Sequence, residues 1–315
     1  MTRRTIIAAL TAITLLTRPA WADEAFVVNQ ISEDVSVVDL EKGAVVATIP
    51  IGGKPAGVAV TADGSRAFIA SPEGNYVSVV DAASRRVLRR IEIPNGPLGI
   101  AAGSSRTRFF VAPWHSTELH LVDAESGQIT GTAQVGQSPS GVAVTPDGSL
   151  VLTTDRDSDQ VSVIDAATMQ TLGSVKTGAR PFGLTIDAQG RRAYTANVGS
   201  NDVTVIDIKE RRVMGAVKVG ERPYAVALAG KRAFVTNQYA STISVFDTQT
   251  LSPIAVISAG YYPEGAAASR DGLSVYVANW ESNSMAVINV ETLSVSEVTV
   301  GDGPRAFGLF IRKTP

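Results

Sequence analysis

An all-β ring of seven four-stranded units is what this 315-residue sequence predicts, and three observations predict it. Prolines recur as a ruler at Pro55, Pro97, Pro139, Pro181, Pro223, Pro263 and Pro304, with gaps of 42, 42, 42, 42, 40 and 41 residues. Periods of this length belong to repeat architectures in which each unit buries its apolar face only against its neighbours. Between the prolines the apolar positions alternate with period two in short runs rich in β-branched and aromatic residues, the pattern of half-buried strands rather than helices. The two ends of the chain carry complementary fragments of one further unit, so that the array closes on itself.

The elements follow in order within each unit. After the proline comes a small-residue strand, GVAV at 57–60 and 141–144 or GLTI at 183–186. A tight turn follows (TADG 61–64, TPDG 145–148, DAQG 187–190), its Asp, Pro and Gly suited to chain reversal. The second strand reads AFIAS at 67–71, AYTAN at 193–197, AFVTN at 233–237 and VYVAN at 275–279. The third reads VSVVD at 77–81, VSVID at 161–165, VTVID at 203–207 and ISVFD at 243–247, and a fourth, such as VKVG at 217–220, returns to the next proline. Residues 26–54 hold strands two to four without a first strand, and residues 306–311 (AFGLFI) hold a first strand with nothing after it. Pairing the two makes a seventh unit and removes the open edges of the array. Four antiparallel strands per unit in a closed ring define a seven-bladed β-propeller, a single domain over residues 23–315.

With its P-x-G-V-A-V, D-G, V-S-V-I-D and [AV]-[FY]-[VT]-[TA]-N elements, the chain resembles the YVTN β-propeller family of exported bacterial proteins over its whole length after residue 22. The resemblance implies the fold and leaves the function open. Members of that family include surface-layer proteins, exported binding proteins, accessory proteins of periplasmic quinone-dependent oxidation and propeller-fold lactonases, so it implies a periplasmic binding or accessory role with a lactonase-like hydrolase or lyase as the alternative.

Comparing the copies separates scaffold from function. The prolines and the small residue two positions on (Gly57, Gly99, Gly141, Gly183, Ala225, Gly265, Ala306) occur in every blade and are architectural. So are Asp39, Asp81, Asp123, Asp165, Asp207, Asp247 and Asn289, which end every third strand where a side chain can bond its own turn. The loops between strands two and three open on the same face as the inter-blade loops at the prolines, here called the top face. These loops vary: QISED, PEGNY, PWHSTE, RDSDQ, VGSND, QYAST and WESNS. Lys54, Arg180, Arg222 and Arg305 fall at the inter-blade loops, with Phe182, Tyr224, Tyr261 and Tyr262 among them and Trp114, Tyr239 and Trp280 in the variable loops. Aromatic and arginine side chains are the residues that dominate binding hot spots. The expectation is a recognition surface at the channel mouth in which Arg180, Arg222 and Arg305 hold an anionic group or partner while the aromatics anchor it. Stacking of single-stranded nucleic acid on the same groups is a further alternative.

Catalytic machinery is sparse. Without cysteine there is neither thiol chemistry nor a disulfide. His120 lies in a third strand at a slot elsewhere held by Ser or Thr, leaving His115 on the top face and Glu264 as the weak acid–base candidates. Asp155, Asp157 and Asp159 open like a calcium loop, but Gln160 and Ala166 stand where glycine and glutamate are needed, so no metal site and no cofactor are expected.

The first residues read as a secretory leader: Arg3 and Arg4, an apolar run from Ile6 to Leu16 too short to cross a bilayer, and Ala20-Trp21-Ala22 as the cleavage site. Export by the general secretory route is expected, with the twin-arginine route as the alternative. Cleavage would remove three arginines and leave 25 basic against 30 acidic residues, a formal charge of −5, which gives no support for duplex nucleic acid or anionic membrane as the partner. The sequence thus reads as an exported, monomeric, non-catalytic binding module.

Overall fold

The computed structural model describes residues 23–313; the expected leader lies outside them. Seven sheets follow one another around a central axis. Six blades begin with innermost strands Gly57–Val60, Pro97–Ala102, Pro139–Val144, Pro181–Ile186, Pro223–Ala229 and Pro263–Ala268, and each runs outward through three further antiparallel strands. Apart from one 3₁₀ turn at Arg156–Ser158, no helix occurs among the described residues.

The remaining blade closes the ring, and its boundaries differ from those expected. Its outer three strands are Glu24–Asn29, Asp34–Asp39 and Ala44–Pro50, and its innermost partner is Ile311–Arg312, paired antiparallel with Glu24 and Ala25. Pairing begins at Pro304 opposite Asn29, then lapses. Ala306 at φ 49° and Gly308 at φ 115° bow the chain away, so that Phe307–Leu309 pairs parallel with Gly57–Val60 of the next blade. The bow puts Phe307 on the axis and leaves Leu309 68% exposed on the channel wall. Residues 304–312 therefore bind both flanking blades. A salt bridge between Arg312 Nη1 and Glu24 Oε2 at 2.6 Å, both nearly buried, fastens the end of this seam.

Why the repeat needs its glycines is visible at the axis. A Cβ on Gly141 would lie 2.3 Å from the Phe182 carbonyl oxygen, on Gly183 2.2 Å from that of Tyr224, and on Gly57 2.1 Å from that of Leu98. Each innermost strand thus touches the backbone of the next, and a side chain there would force neighbouring blades apart. Between blades, second- and third-strand residues such as Phe68 and Phe109 (centroids 4.6 Å apart) interlock in apolar layers.

The bottom turns are uniform. The aspartate or asparagine ending each third strand accepts N–H bonds from its own turn, as Asp165 does from Ala167 and Thr168 and Asp247 from Gln249 and Thr250. Backbone and side-chain donors hold the carboxyls of Asp81, Asp123, Asp165 and Asp247 below their ordinary range. The asparagines ending second strands tie strand two to strand three: Asn197 Nδ2 donates to Thr204 at 2.8 Å and Asn237 Nδ2 to Ser244 at 2.9 Å.

Candidate functional site

Two slots per repeat control what reaches the top face. The residue immediately before each proline is left-handed: Lys54, Ser138, Arg180, Arg222 and Tyr262 at φ 52–56°, with Gly96 and Gly303 in the other two blades. Holding a non-glycine residue there costs on the order of 1 kcal/mol and fixes where its side chain leaves the loop. The residue immediately after each proline reads Ala56, Leu98, Ser140, Phe182, Tyr224, Glu264 and Arg305 around the ring.

The second slot closes the channel at this end. Phe182 and Tyr224 stand 4.7 Å apart, Phe182 and Phe307 4.9 Å apart edge to face, and Tyr224 lies parallel to Phe307 at 5.9 Å. With Ala56 and Leu98 they form one buried cluster in which Phe182 is 4% and Tyr224 8% exposed. Beneath it lies a cavity of about 1480 Å3. It runs from the bottom turns at Ala62, Asp147, Asp187 and Gly272 up to Phe182, Tyr224 and Phe307, and no residue of the top loops lines it. The channel therefore opens on the bottom face. The expectation of a channel mouth among the top loops is corrected, because three aromatic rings meet on the axis and block it. Phe182 and Tyr224 act as that plug rather than as accessible anchors. Sequence reasoning missed Phe307 altogether; reading off the residue after each proline would have found the rest of the plug.

Arg222 and Arg305 are engaged from within. Glu264 is fully buried; its Oε2 lies 3.1 Å from Arg305 Nη1, and its Oε1 accepts a 2.5 Å bond from Gln238 Nε2. Burial pushes the Glu264 carboxyl up to about 7, against the pull of Arg305, Gln238 and Arg222. Arg305 Nε also donates to Gln30 Oε1 at 2.7 Å. Arg222 donates to the Tyr239 hydroxyl at 2.6 Å and to the Tyr224 hydroxyl at 3.2 Å. Lys54 pairs with Glu33 at 3.0 Å. Of the four cations placed here from the sequence, only Arg180 is exposed with no side-chain partner among the described residues. The carboxyl group that meets Arg305, with Arg222 in electrostatic reach, is the protein's own Glu264.

What remains open is a continuous aromatic sector. Arg222 stacks over Tyr239 at 4.5 Å, Tyr239 meets Tyr262 at 5.9 Å, Tyr262 meets Trp280 at 6.3 Å, and Arg305 lies over Trp280 at 5.8 Å. Gly303 (φ 63°) lets the sector reach Ile31, since a Cβ there would meet Ile31 at 2.7 Å and Trp280 Nε1 at 3.0 Å. The Trp280 indole N–H is buried without an acceptor. Tyr239 is 50%, Tyr261 67% and Ile31 50% exposed. Across the ring, Trp114 stacks on the exposed His115 at 6.1 Å, with Arg156 over the Trp114 ring at 5.8 Å. No titratable partner reaches His115 among the described residues, so it is not assembled with Glu264 into an acid–base pair.

The acidic loop also disperses. Asp155 is buried and accepts from Gly136, Thr153, Gln160 and Ser162, burial raising its carboxyl. Asp157 turns to Arg156 and Ser138, and Asp159 caps the Arg180 N–H. Among the described residues no three His, Asp or Glu side chains gather as a metal site.

Fold and surface together define a seven-bladed propeller with a plugged, aromatic top face and an open bottom channel. The chain belongs to the YNCE-like beta-propeller family, which it matches over residues 11–108 and 114–311. No curated protein matches it. Among solved structures it is similar to a functionally unknown protein from Desulfotomaculum acetoxidans, at a TM-score of 0.76 and 17% identity over 91% of this chain and all of the other. It is also similar to Kuenenia stuttgartiensis hydrazine synthase, at 0.55 and 19% over 77% of this chain and 97% of the other. At these identities the likeness is one of fold.

Proposed function

We propose that the protein is an exported binding module that recognises another protein through the top-face sector running from Arg222 to Ile31. The observation that carries this reading is the contiguous series Tyr239, Tyr262 and Trp280, backed by stacked arginines, with the exposed Tyr261 next to Tyr262 in the chain. Rigid aromatic side chains lose little conformational freedom on binding and supply most of the energy of small interfaces. Glu264 and Gln30 hold Arg305 against the Trp280 ring, and Gln238 in turn holds Glu264, so the platform is fixed from below.

The hydrolase alternative has less to stand on. Glu264 is paired with Arg305, and the rings above the channel separate it from the cavity beneath. A place beside a periplasmic oxidation system is compatible with a non-catalytic recognition surface, and so is a periplasmic address.

Position decides the matter. A photo-crosslinking residue at Tyr261 should capture a discrete partner in the producing cell, whereas one at the exposed bottom-turn residue Ala83 should not. Equal capture from both faces, or capture from Ala83 alone, would overturn the proposal.

A further inference from the structure

The sign of charge on the recognition sector is opposite to the one its arginines suggest. Arg222 and Arg305 are the cations of the sector, and the donors of both are committed within it: Arg222 to the Tyr224 and Tyr239 hydroxyls, Arg305 to Glu264 and Gln30. The carboxylates at its rim are not committed in this way. Glu221 and Glu281 are exposed and have no side-chain partner among the described residues, and exposed Asp302 receives only the neutral Asn283 amide, at 3.0 Å. Glu281 is held beside the most exposed ring, since its backbone N–H donates to the Tyr261 carbonyl.

Aromatic faces attract cations through their quadrupole, most strongly when the cation is a planar guanidinium that can also stack. This sector already does so internally, with Arg222 4.5 Å above Tyr239 and Arg305 5.8 Å from Trp280. Tyr261, 67% exposed, has no such cation among the described residues and has the carboxylate of Glu281 near it.

Resting on the reading of the top face as a recognition surface, we infer that its occupant is a protein segment presenting arginine or lysine side chains, which stack on Tyr261 and Tyr239 and pair with Glu281, Glu221 and Asp302. Complementary charge of this kind governs partner choice and association rate more than it adds affinity.

The test uses the mature full-length protein and two sets of short peptides matched in glycine, proline and aromatic content, one rich in arginine and the other in glutamate. Calorimetric titration at low salt should show binding of the arginine set alone, weakened by added salt and weakened in part when its arginines are replaced by lysine. Glu221→Gln with Glu281→Gln should weaken it by about tenfold, and Tyr261→Ala by at least as much. All three positions are exposed, so unchanged thermal unfolding accompanies the loss. Preference for the glutamate set, failure of the arginine set to bind, or binding indifferent to the paired Glu→Gln changes overturns the inference. If Tyr261→Ala abolishes binding while the paired Glu→Gln variant does not, the recognition surface stands and the charge assignment falls.

Discussion

The two ends of the channel are made from the same repeat and have opposite characters. At the bottom face every blade ends its third strand with Asp or Asn bonded to its own turn, and the channel stands open. At the top face the slot after each proline holds a different residue in every blade, the slot before it varies among Lys, Gly, Ser, Arg and Tyr, and three aromatic rings close the axis. A position that must make the same local bond in each blade has one chemical solution. A position that meets its counterparts across the axis need only fill its share of the space, and so can differ from blade to blade. The proposed recognition surface lies where repetition is relaxed.

The largest effect is expected from the buried carboxylate under the top face. Because the Glu264 carboxyl is raised to about 7 in the folded protein, the folded state holds its proton more tightly than the unfolded chain. Stability should therefore fall as pH rises from about 4.5 through about 7, by about 3 kcal/mol. Glu264→Gln should flatten this slope in denaturant titrations taken across that range, and a slope equal to that of the unsubstituted protein would show that Glu264 does not carry it.

Next come the axial glycines. Gly141→Val places side-chain atoms against the Phe182 carbonyl and should cost about 1–3 kcal/mol in chemical unfolding. Ala225→Gly, at the corresponding slot of another blade, should cost less because no contact is overfilled. A reversed order would remove the account of blade spacing.

Smaller still is the platform itself. Tyr239→Ala, Tyr261→Ala and Glu281→Gln should leave stability within about 0.5 kcal/mol while changing binding, since their side chains lie largely outside the core. The smallest effect belongs to the bottom turns. Asp81→Asn should be silent at neutral pH, and because the depressed carboxyls lend stability that is lost only as pH falls below about 4, it should blunt acid unfolding slightly.

Much of this was legible in the residues. The proline ruler and the period-two strands specify blades, because each blade repeats one local solution. Closure was legible as two complementary fragments, but the bow at Phe307–Leu309 was not; it depends on Ala306 and Gly308 adopting positive φ between two blades. The aromatic residues of the top face were visible as departures from the repeat. Their division into a buried plug and an exposed sector was not, because burial at the axis depends on rings contributed from positions 42 to 125 residues apart, Phe182, Tyr224 and Phe307. The arginines misled for a related reason. Glu264 and Arg305 occupy the same slot in adjacent blades, and only their convergence on the axis turns a row of apparent anion ligands into an internal ion pair.

The most direct measurement compares the amount of partner retained by the mature protein, by its Tyr239→Ala/Tyr261→Ala variant and by Asp81→Asn, all at equal folded concentration. If the top face is the recognition surface, the double variant should lose at least about tenfold in retained partner with its unfolding midpoint unchanged, while Asp81→Asn retains it fully. Equal retention by all three, or loss confined to the bottom-face variant, would contradict the account.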